Sequence, residues 1–500
     1  MAVWPVSRAA SDIIWEITMA PAKALTIMWF RRDLRLADNP ALADAVARGA
    51  VLPVYIDDHN SDNPWSASAA CRWWTHYSLE SLQKSLAAKG SRLIIRAGPA
   101  LKVLKSLISE TGANAVVWNR GYEPTGIARD TAIKEVLRSQ GVDSVSHKGA
   151  LLLEPHEVTN KQGTPYLVYT PFWRACYSGL EVPAPLPPPS RILAPSSWPK
   201  GVELSALKML PKIPWDTTMR NQWVPGESAG HARLQQFAEG PVLGYSSQRD
   251  IPSVDGTSAL SPYLAHGELS PRQAWHAVMN AQGLRSGGAR PEGVEVYFKE
   301  IVWREFAYHL LYHFPQTTDH PLKDAYSRFP WRTDPVQLQA WQHGRTGYPL
   351  VDAGMRQLWT TGWMHNRVRM VVGSFLVKHL LLPWQDGARW FFDTLIDADL
   401  ASNTMGWQWT AGSGADAAPY FRIFHPVTQG ERFDPEGIYI RKWVPELKNL
   451  PAPHVHRPWE APSAILSRAG VAIGRDYPKP IVDHDMARKR ALAALASLKD

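Results

Sequence analysis

Two kinds of patterning divide this chain and predict an α/β protein: an N-terminal doubly wound parallel-sheet domain followed by an all-α domain. From Leu25 to about Leu153, short apolar runs alternate with amphipathic helical stretches, as strands of a parallel sheet alternate with the helices that cover it. After Gly226 the periodicity is helical to the end. The length, 500 residues, exceeds what one core usually organises, so at least two domains are expected.

In chain order, residues 1–24 carry only Arg8 and Lys23 as positive charges, and their apolar run Ile13-Ile14-Trp15 stops at Glu16. That makes a poor signal peptide and reads as a tail, or as a start placed too early with Met19 the alternative. Domain one spans 25–153, with strands at LTIMWF, VLPVYI, RLIIRA and AVVWNR and helices such as Trp73–Ala88 and Lys102–Glu110. Ligands of such sheets sit at the carboxyl ends of the strands. There Arg31, Arg32, Asp33 and Arg35 follow the first strand, and Asn119, Tyr122 and Glu123 the fourth. No GxGxxG or Walker A motif follows any strand, so dinucleotide or ATP binding of the usual kind is not expected. Residues 154–225, which include VPAPLPPPS, read as a proline-rich linker over the surface, pinned at its start by Tyr166, Tyr169, Phe172 and Trp173. Helices are expected at Ser228–Glu239, Pro271–Asn280, Glu295–Phe314, Pro335–Gln342, Met355–Leu382 and Gln385–Leu395, in a domain spanning 226–490 with a tail at 491–500.

Composition narrows the function. Hydrophobic content of 45% with 20% charged residues is that of an ordinary globular protein. A net charge of +8, with a pI near 9.3, favours a polyanionic partner. Two cysteines without CxxC spacing offer no disulfide framework, zinc site or iron–sulfur cluster, so no metal and a reducing, cytoplasmic compartment are expected. No apolar run reaches membrane-spanning length. The 23 tryptophans exceed ordinary core use and leave room for stacking platforms or electron relays.

The chemistry concentrates between Thr361 and Trp409. Met364, Val368, Val371 and Phe375 form one apolar helical stripe, while Asn366, Arg367, Arg369 and Met370 project elsewhere. Asp397, Asp399, Asn403, Trp407 and Trp409 follow in a Gly-flanked segment that reads as too broken for a long regular helix. Arg369 and Asp397 could be simply a buried ion pair. Upstream, Thr257-Ser258-Ala259-Leu260-Ser261 before Pro262 is either an N-cap or a phosphate nest.

TGWMHNRVRM, DADLASNTMGWQW and DAAPYFRIFHPVTQGERFD resemble the flavin-binding core of the photolyase/cryptochrome family, and WFRRDLRLADNPAL resembles its opening strand and loop. The resemblance runs from about 25 to 490, and within the family it is to bacterial cyclobutane pyrimidine dimer (CPD) photolyases of class III or class I, the tail PIVDHDMARKRALAAL favouring class III. It implies FAD held by Tyr245, Thr257, Ser258, Ala259, Leu260, Ser261, Arg304, Trp363, Asn366, Arg369, Asp397, Asp399 and Asn403, with Asp399 accepting from the flavin N–H edge. It further implies a lesion pocket of Glu300, Trp303, Asn366, Met370 and Trp409, and an electron chain Trp407, Trp384, Trp331. Arg249, Arg304, Arg367 and Arg422 match or border phosphate contacts. Asn119 and Glu123 match an antenna pocket, with 5,10-methenyltetrahydrofolate the expected chromophore. (6-4) photolyases place histidines where Asn366 and Met370 stand, which argues against that lesion. The activity implied is light-driven CPD repair on duplex DNA by a monomeric, nucleoid-associated enzyme. A cryptochrome photoreceptor and a DASH-type single-strand repair enzyme are the alternatives; Asn403, where plant cryptochromes tend to carry an acid, favours repair. SNTMGW departs from the class I pattern at Thr404 and Met405.

Overall fold

The structure, a computed structural model, describes residues 25–58, 63–285, 287–416 and 421–498, so the expected N-terminal tail lies outside the described residues. Five parallel strands, β1 (Leu25–Phe30), β2 (Ala50–Asp57), β3 (Ile94–Ala97), β4 (Ala115–Asn119) and β5 (Asp143–His147), form one sheet in the order β3-β2-β1-β4-β5. β1 is buried along its whole length because helices cover both sheet faces, which is why it reads as an unbroken apolar run. Its alternate residues enter different cores: Ile27 and Trp29 pack with Leu52, Val54 and Trp118, Met28 and Phe30 with Val51 and Val117. The crossover helices are α1 (Pro40–Arg48), α2 (Ala69–Ala87), α3 (Ala100–Thr111) and α4 (Pro124–Ser139); Asn39 and Ser68 cap the first two through their side chains. β5 was not expected. Its sequence, DSVSH, buries only Ser144, as suits a polar edge strand.

The linker runs largely over the surface and is pinned at its start, as expected. α5 (Tyr169–Cys176) buries Tyr169, Phe172 and Trp173 in the same core as the helical domain, and α6 (Thr217–Gln222) buries Met219 there. The helical domain then runs through α7 (Glu227–Glu239), α8 (Tyr245–Gln248), α9 (Ser261–Ala265), α10 (Pro271–Ala281), α11 (Glu292–His313), α12 (Pro335–Gln342), α13 (Pro349–Thr361), α14 (Asn366–Ser374), α15 (Trp384–Thr394) and α16 (Leu400–Ala411). The single helix expected over 355–382 is in fact three pieces. Gly362, at φ +67°, ends α13; His365 Nδ1 accepts from the Arg367 amide to start α14; after Ser374 the chain makes a π-helical turn over Phe375–His379. The Met364, Val368, Val371 and Phe375 stripe is buried as expected. α16 is a correction too: it is regular through Gly406, whose missing side chain faces open space, so the glycine weakens the helix without breaking it. The 491–500 tail is likewise corrected, since one helix spans His484–Ala496 and buries Ala487, Ala491 and Ala494.

α11 packs against α5, α8 and α16, and α16 also receives α14 and α15. Residues far apart in sequence therefore meet on four neighbouring helices. The two domains touch closely at Gly267, whose φ of +66° admits no side chain and whose Cβ would run into the Arg32 carbonyl. Beside it the buried Arg35 guanidinium donates to the carbonyls of Asp38, Gly267 and Gly149. Among the described residues no helix is long and apolar enough to cross a membrane.

Candidate functional site

The segment Thr257–Ser261 is strained in a telling way. Ala259 lies at φ +46° and is followed by Leu260 in the right-handed region, a pairing that turns successive amides toward one side and suits an anion. Around it, Arg233 Nε donates to the Ser258 carbonyl at 2.8 Å and Trp363 Nε1 to Ser261 Oγ at 3.2 Å. Tyr245 is buried edge-on to Phe237 and Tyr297. Arg233 was not anticipated, because nothing in HARLQQF marks it.

The two aspartates differ in what they have left to give. Arg369 Nη2 meets Asp397 Oδ2 at 2.8 Å, while Asp397 Oδ1 is buried without any partner. A buried carboxylate oxygen costs free energy unless a donor reaches it, so this atom fits the N–H edge of a ring such as flavin. Asp399 already has donors on both oxygens: Ser402 N at 2.8 Å on Oδ1, where it caps α16, and the Tyr308 hydroxyl on Oδ2. Asp397 Oδ1 is thus the acceptor still without a donor, while each Asp399 oxygen already has one. Burial, with Asp399 alongside, raises the Tyr308 phenol, which stays a donor. The loop carrying both aspartates is gripped by its backbone. Cys71 Sγ donates to the Leu395 carbonyl at 3.4 Å, His266 Nε2 to Ile396 at 2.9 Å and Arg32 Nη2 to Ala398 at 3.0 Å. Burial, then Arg32, lower the His266 pKa to about 3, so the ring is neutral and its Nε2–H donates. Asn403, half-buried on α16, donates to the Ala388 carbonyl at 3.0 Å.

Trp407 stands in a slot made by glycine. A Cβ on Gly387 would overlap its ring, and one on Gly373 would touch it at 3.6 Å. Trp384 shares that core, fully buried, with Trp331 half-buried against it. Trp341, unmarked in the sequence, meets Trp407 edge-on at 6.2 Å.

Glu300 and Trp303 stand on α11, Asn366 and Met370 on α14 and Trp409 on α16, and α16 packs against both of the other helices. Asn366 is exposed and the other four are half-buried. Glu300 pairs with Arg249; burial pushes its carboxyl up and the guanidinium pulls it back. Asp250 continues the alternation, 4.0 Å from Arg249 and 2.6 Å from Arg367. Arg422 is exposed, its guanidinium 5.9 Å from the Phe424 ring centroid. Arg304 differs from the other three arginines in its direction. It points inward, Nη1 donating to the Ala150 carbonyl at 2.8 Å with the guanidinium over the Tyr308 ring.

At the carboxyl ends of the strands lies a crevice of about 250 Å³ bounded by Arg31, Tyr55, Arg129, Glu123 and Tyr308. Glu123 lines it in a 2.9 Å pair with Arg32. Asn119 lines the same crevice. Its Nδ2 donates to Asp33 and Asn39 and its Oδ1 accepts from the Ala41 amide, so both of its N–H groups are used in holding the strand end. Among the described residues no cluster of side chains could hold a metal ion.

A parallel-sheet domain joined to a helical one, with an anion cradle, a ring-edge carboxylate and buried tryptophans in between, defines the photolyase/cryptochrome family, and the chain belongs to it. Residues 26–190 match the model described as DNA photolyase, and residues 297–497 that of the FAD binding domain of DNA photolyase. More particularly, the chain is similar to the deoxyribodipyrimidine photo-lyase of Agrobacterium fabrum, 50% identical over 96% of this chain and 99% of that one. The crystal structure of a bacterial class III photolyase from Agrobacterium tumefaciens superposes with a TM-score of 0.91 at 50% identity, covering 97% of this chain and 99% of the other. Cryptochrome-2 of Arabidopsis thaliana is 40% identical over 95% of this chain and 79% of its own length.

Proposed function

We propose that this protein is a CPD photolyase that repairs duplex DNA, and that the site built above does the work. The observation that carries the reading is that α14 holds Arg369 on Asp397, whose other oxygen is buried without a partner, while Asn366 and Met370 of the same helix stay outside its buried stripe. When bound, reduced FAD supplies under blue or near-UV light the electron that opens the cyclobutane ring, and takes it back. Asp397 Oδ1 would accept from the ring edge and Tyr245 with the Thr257–Ser261 amides would hold the diphosphate, while Trp363 braces that turn through Ser261. Trp303 and Trp409 stack on the flipped-out dimer. Glu300, its carboxyl pushed toward the protonated form by burial, hydrogen-bonds the base edge once lesion binding loosens Arg249. Trp407, Trp384 and Trp331 carry electrons from the surface inward. Arg249, Arg367 and Arg422 engage phosphates, so affinity falls with salt and depends little on sequence. The crevice beside Glu123 takes a folate antenna. A cytoplasmic monomer acting at the nucleoid completes the proposal.

The test is loss of dimer from a CPD-containing duplex in light against dark, with Glu300→Gln beside the wild type. Light-dependent repair that falls at least tenfold in the variant is expected. A wild type that photoreduces FAD yet repairs nothing would replace this reading by a photoreceptor, in line with the similarity to Cryptochrome-2.

A further inference from the structure

We propose that Tyr169 is a positioning residue for the lesion pocket: it backs one face of Trp303 and fixes the turn that carries Trp303 and Glu300, so that the opposite face meets the dimer in one orientation. The inference rests on the repair reading above. The rings of Tyr169 and Trp303 lie 3.6 Å apart at 6°, a parallel stack. Phe306 closes the group, edge-on to Tyr169 at 5.9 Å and to Trp303 at 5.8 Å. Tyr169 is buried whereas Trp303 remains half-buried, so the indole surface still open lies away from the phenol.

The same side chain also holds the backbone. Its hydroxyl donates to the Lys299 carbonyl at 2.7 Å. In an α-helix that carbonyl receives the amide of Trp303, and it immediately precedes Glu300. One phenol thus fixes the ring, the turn and the approach of the acid. The segment holding it is tied to the other platform as well, since the Leu167 carbonyl accepts from the Asp416 amide at 3.1 Å, just beyond the helix of Trp409. The sequence alone gave Tyr169 only the task of anchoring a linker.

A stacking platform discriminates lesions only if it does not tilt, which sets the experiment. Dark affinities for CPD-containing and undamaged duplex are measured for wild type, Tyr169→Phe and Tyr169→Leu, with FAD absorbance and thermal melting reporting the fold. Tyr169→Leu is expected to weaken CPD binding about tenfold with undamaged-duplex affinity unchanged. Tyr169→Phe, which keeps the stack and loses the bond to Lys299, should recover most of that, to within about two- to fivefold of wild type. Repair at saturating lesion should fall in the same order. Wild-type discrimination in Tyr169→Leu, or equal loss for damaged and undamaged DNA, overturns the proposal. Should Tyr169→Leu fail to fold, Tyr169→Phe decides: undiminished discrimination there overturns it equally. A wild type with no preference for CPD duplex would instead refute the repair reading itself.

Discussion

Replacing Gly387 by alanine should injure this protein even though alanine is the better helix former. A Cβ built on Gly387 lies 2.5 Å from Trp407 Cζ3, nearer still to Cη2, and 2.6 Å from Leu376 Cδ2. Carbon atoms in contact keep about 3.5 Å or more, so something must move by about 1 Å. Trp407 has no room to retreat, being 4% exposed, with Gly373 beside it and Trp341 against its edge. Overpacking of this kind costs about 1–3 kcal/mol, and alanine returns about 1 kcal/mol of helix propensity. With a rigid indole as the obstacle the upper end applies, leaving a net loss of about 2 kcal/mol and a Tm lower by several degrees. Gly406→Ala is the matched control, because its Cβ meets nothing within 4 Å, and it should gain up to about 1 kcal/mol. Thermal melts of the three proteins decide the point, with the rate of FAD photoreduction recorded alongside. If Gly387→Ala melts at or above wild type, the slot around Trp407 is not what holds it.

Asp397→Asn removes the carboxylate facing Arg369 and should cut FAD retention through gel filtration at least tenfold, with helix content by circular dichroism unchanged. Stability should decline as pH falls. Burial holds His266 and His379 near pKa 3 and His309 and His365 near 4, against about 6.5 when unfolded. Below about pH 6.5 the unfolded chain takes up protons that the folded one refuses, costing up to about 1.4 kcal/mol per pH unit for each ring until the folded value is reached. Denaturant melts at pH 7.5, 6 and 5 would show it, and a curve flat over that range would contradict the burial of these rings. Arg422→Ala should weaken damaged and undamaged duplex alike and lower the slope of log affinity against log salt by about one.

What the sequence made legible was whatever repeats or matches locally. β1, β2 and β4 announced themselves as apolar runs because both of their faces are largely buried, whereas β5, polar and mostly half-buried at the sheet edge, carries no such run. Helix breaks went unseen over 355–382 because Gly362 and His365 act through φ and through one cap, neither of which disturbs apolar periodicity. Gly406 misled in the opposite sense: a glycine in a helix costs little where its neighbours already bury the rest. At the candidate site, residues inside long motifs, such as Arg369, Asp397 and Trp407, stand out in the sequence. Those that act from elsewhere, Arg233, Trp341 and the Tyr308 hydroxyl, left no local mark. Which partners Asn119 and Arg304 take inside the protein left no mark either, because a sequence does not tell which way a side chain turns.

The grip on the aspartate loop has an asymmetric consequence for how such a chain can drift. Arg32 and Cys71 in the first domain and His266 in the second all clasp backbone carbonyls, and every residue type offers a carbonyl. Substitutions at 395, 396 and 398 can therefore accumulate without loosening the seam, while each clasping side chain is irreplaceable by anything lacking a donor of its reach. Swapping the helical half between relatives should succeed or fail according to whether the recipient's first domain brings those donors, and hardly at all according to the loop it receives.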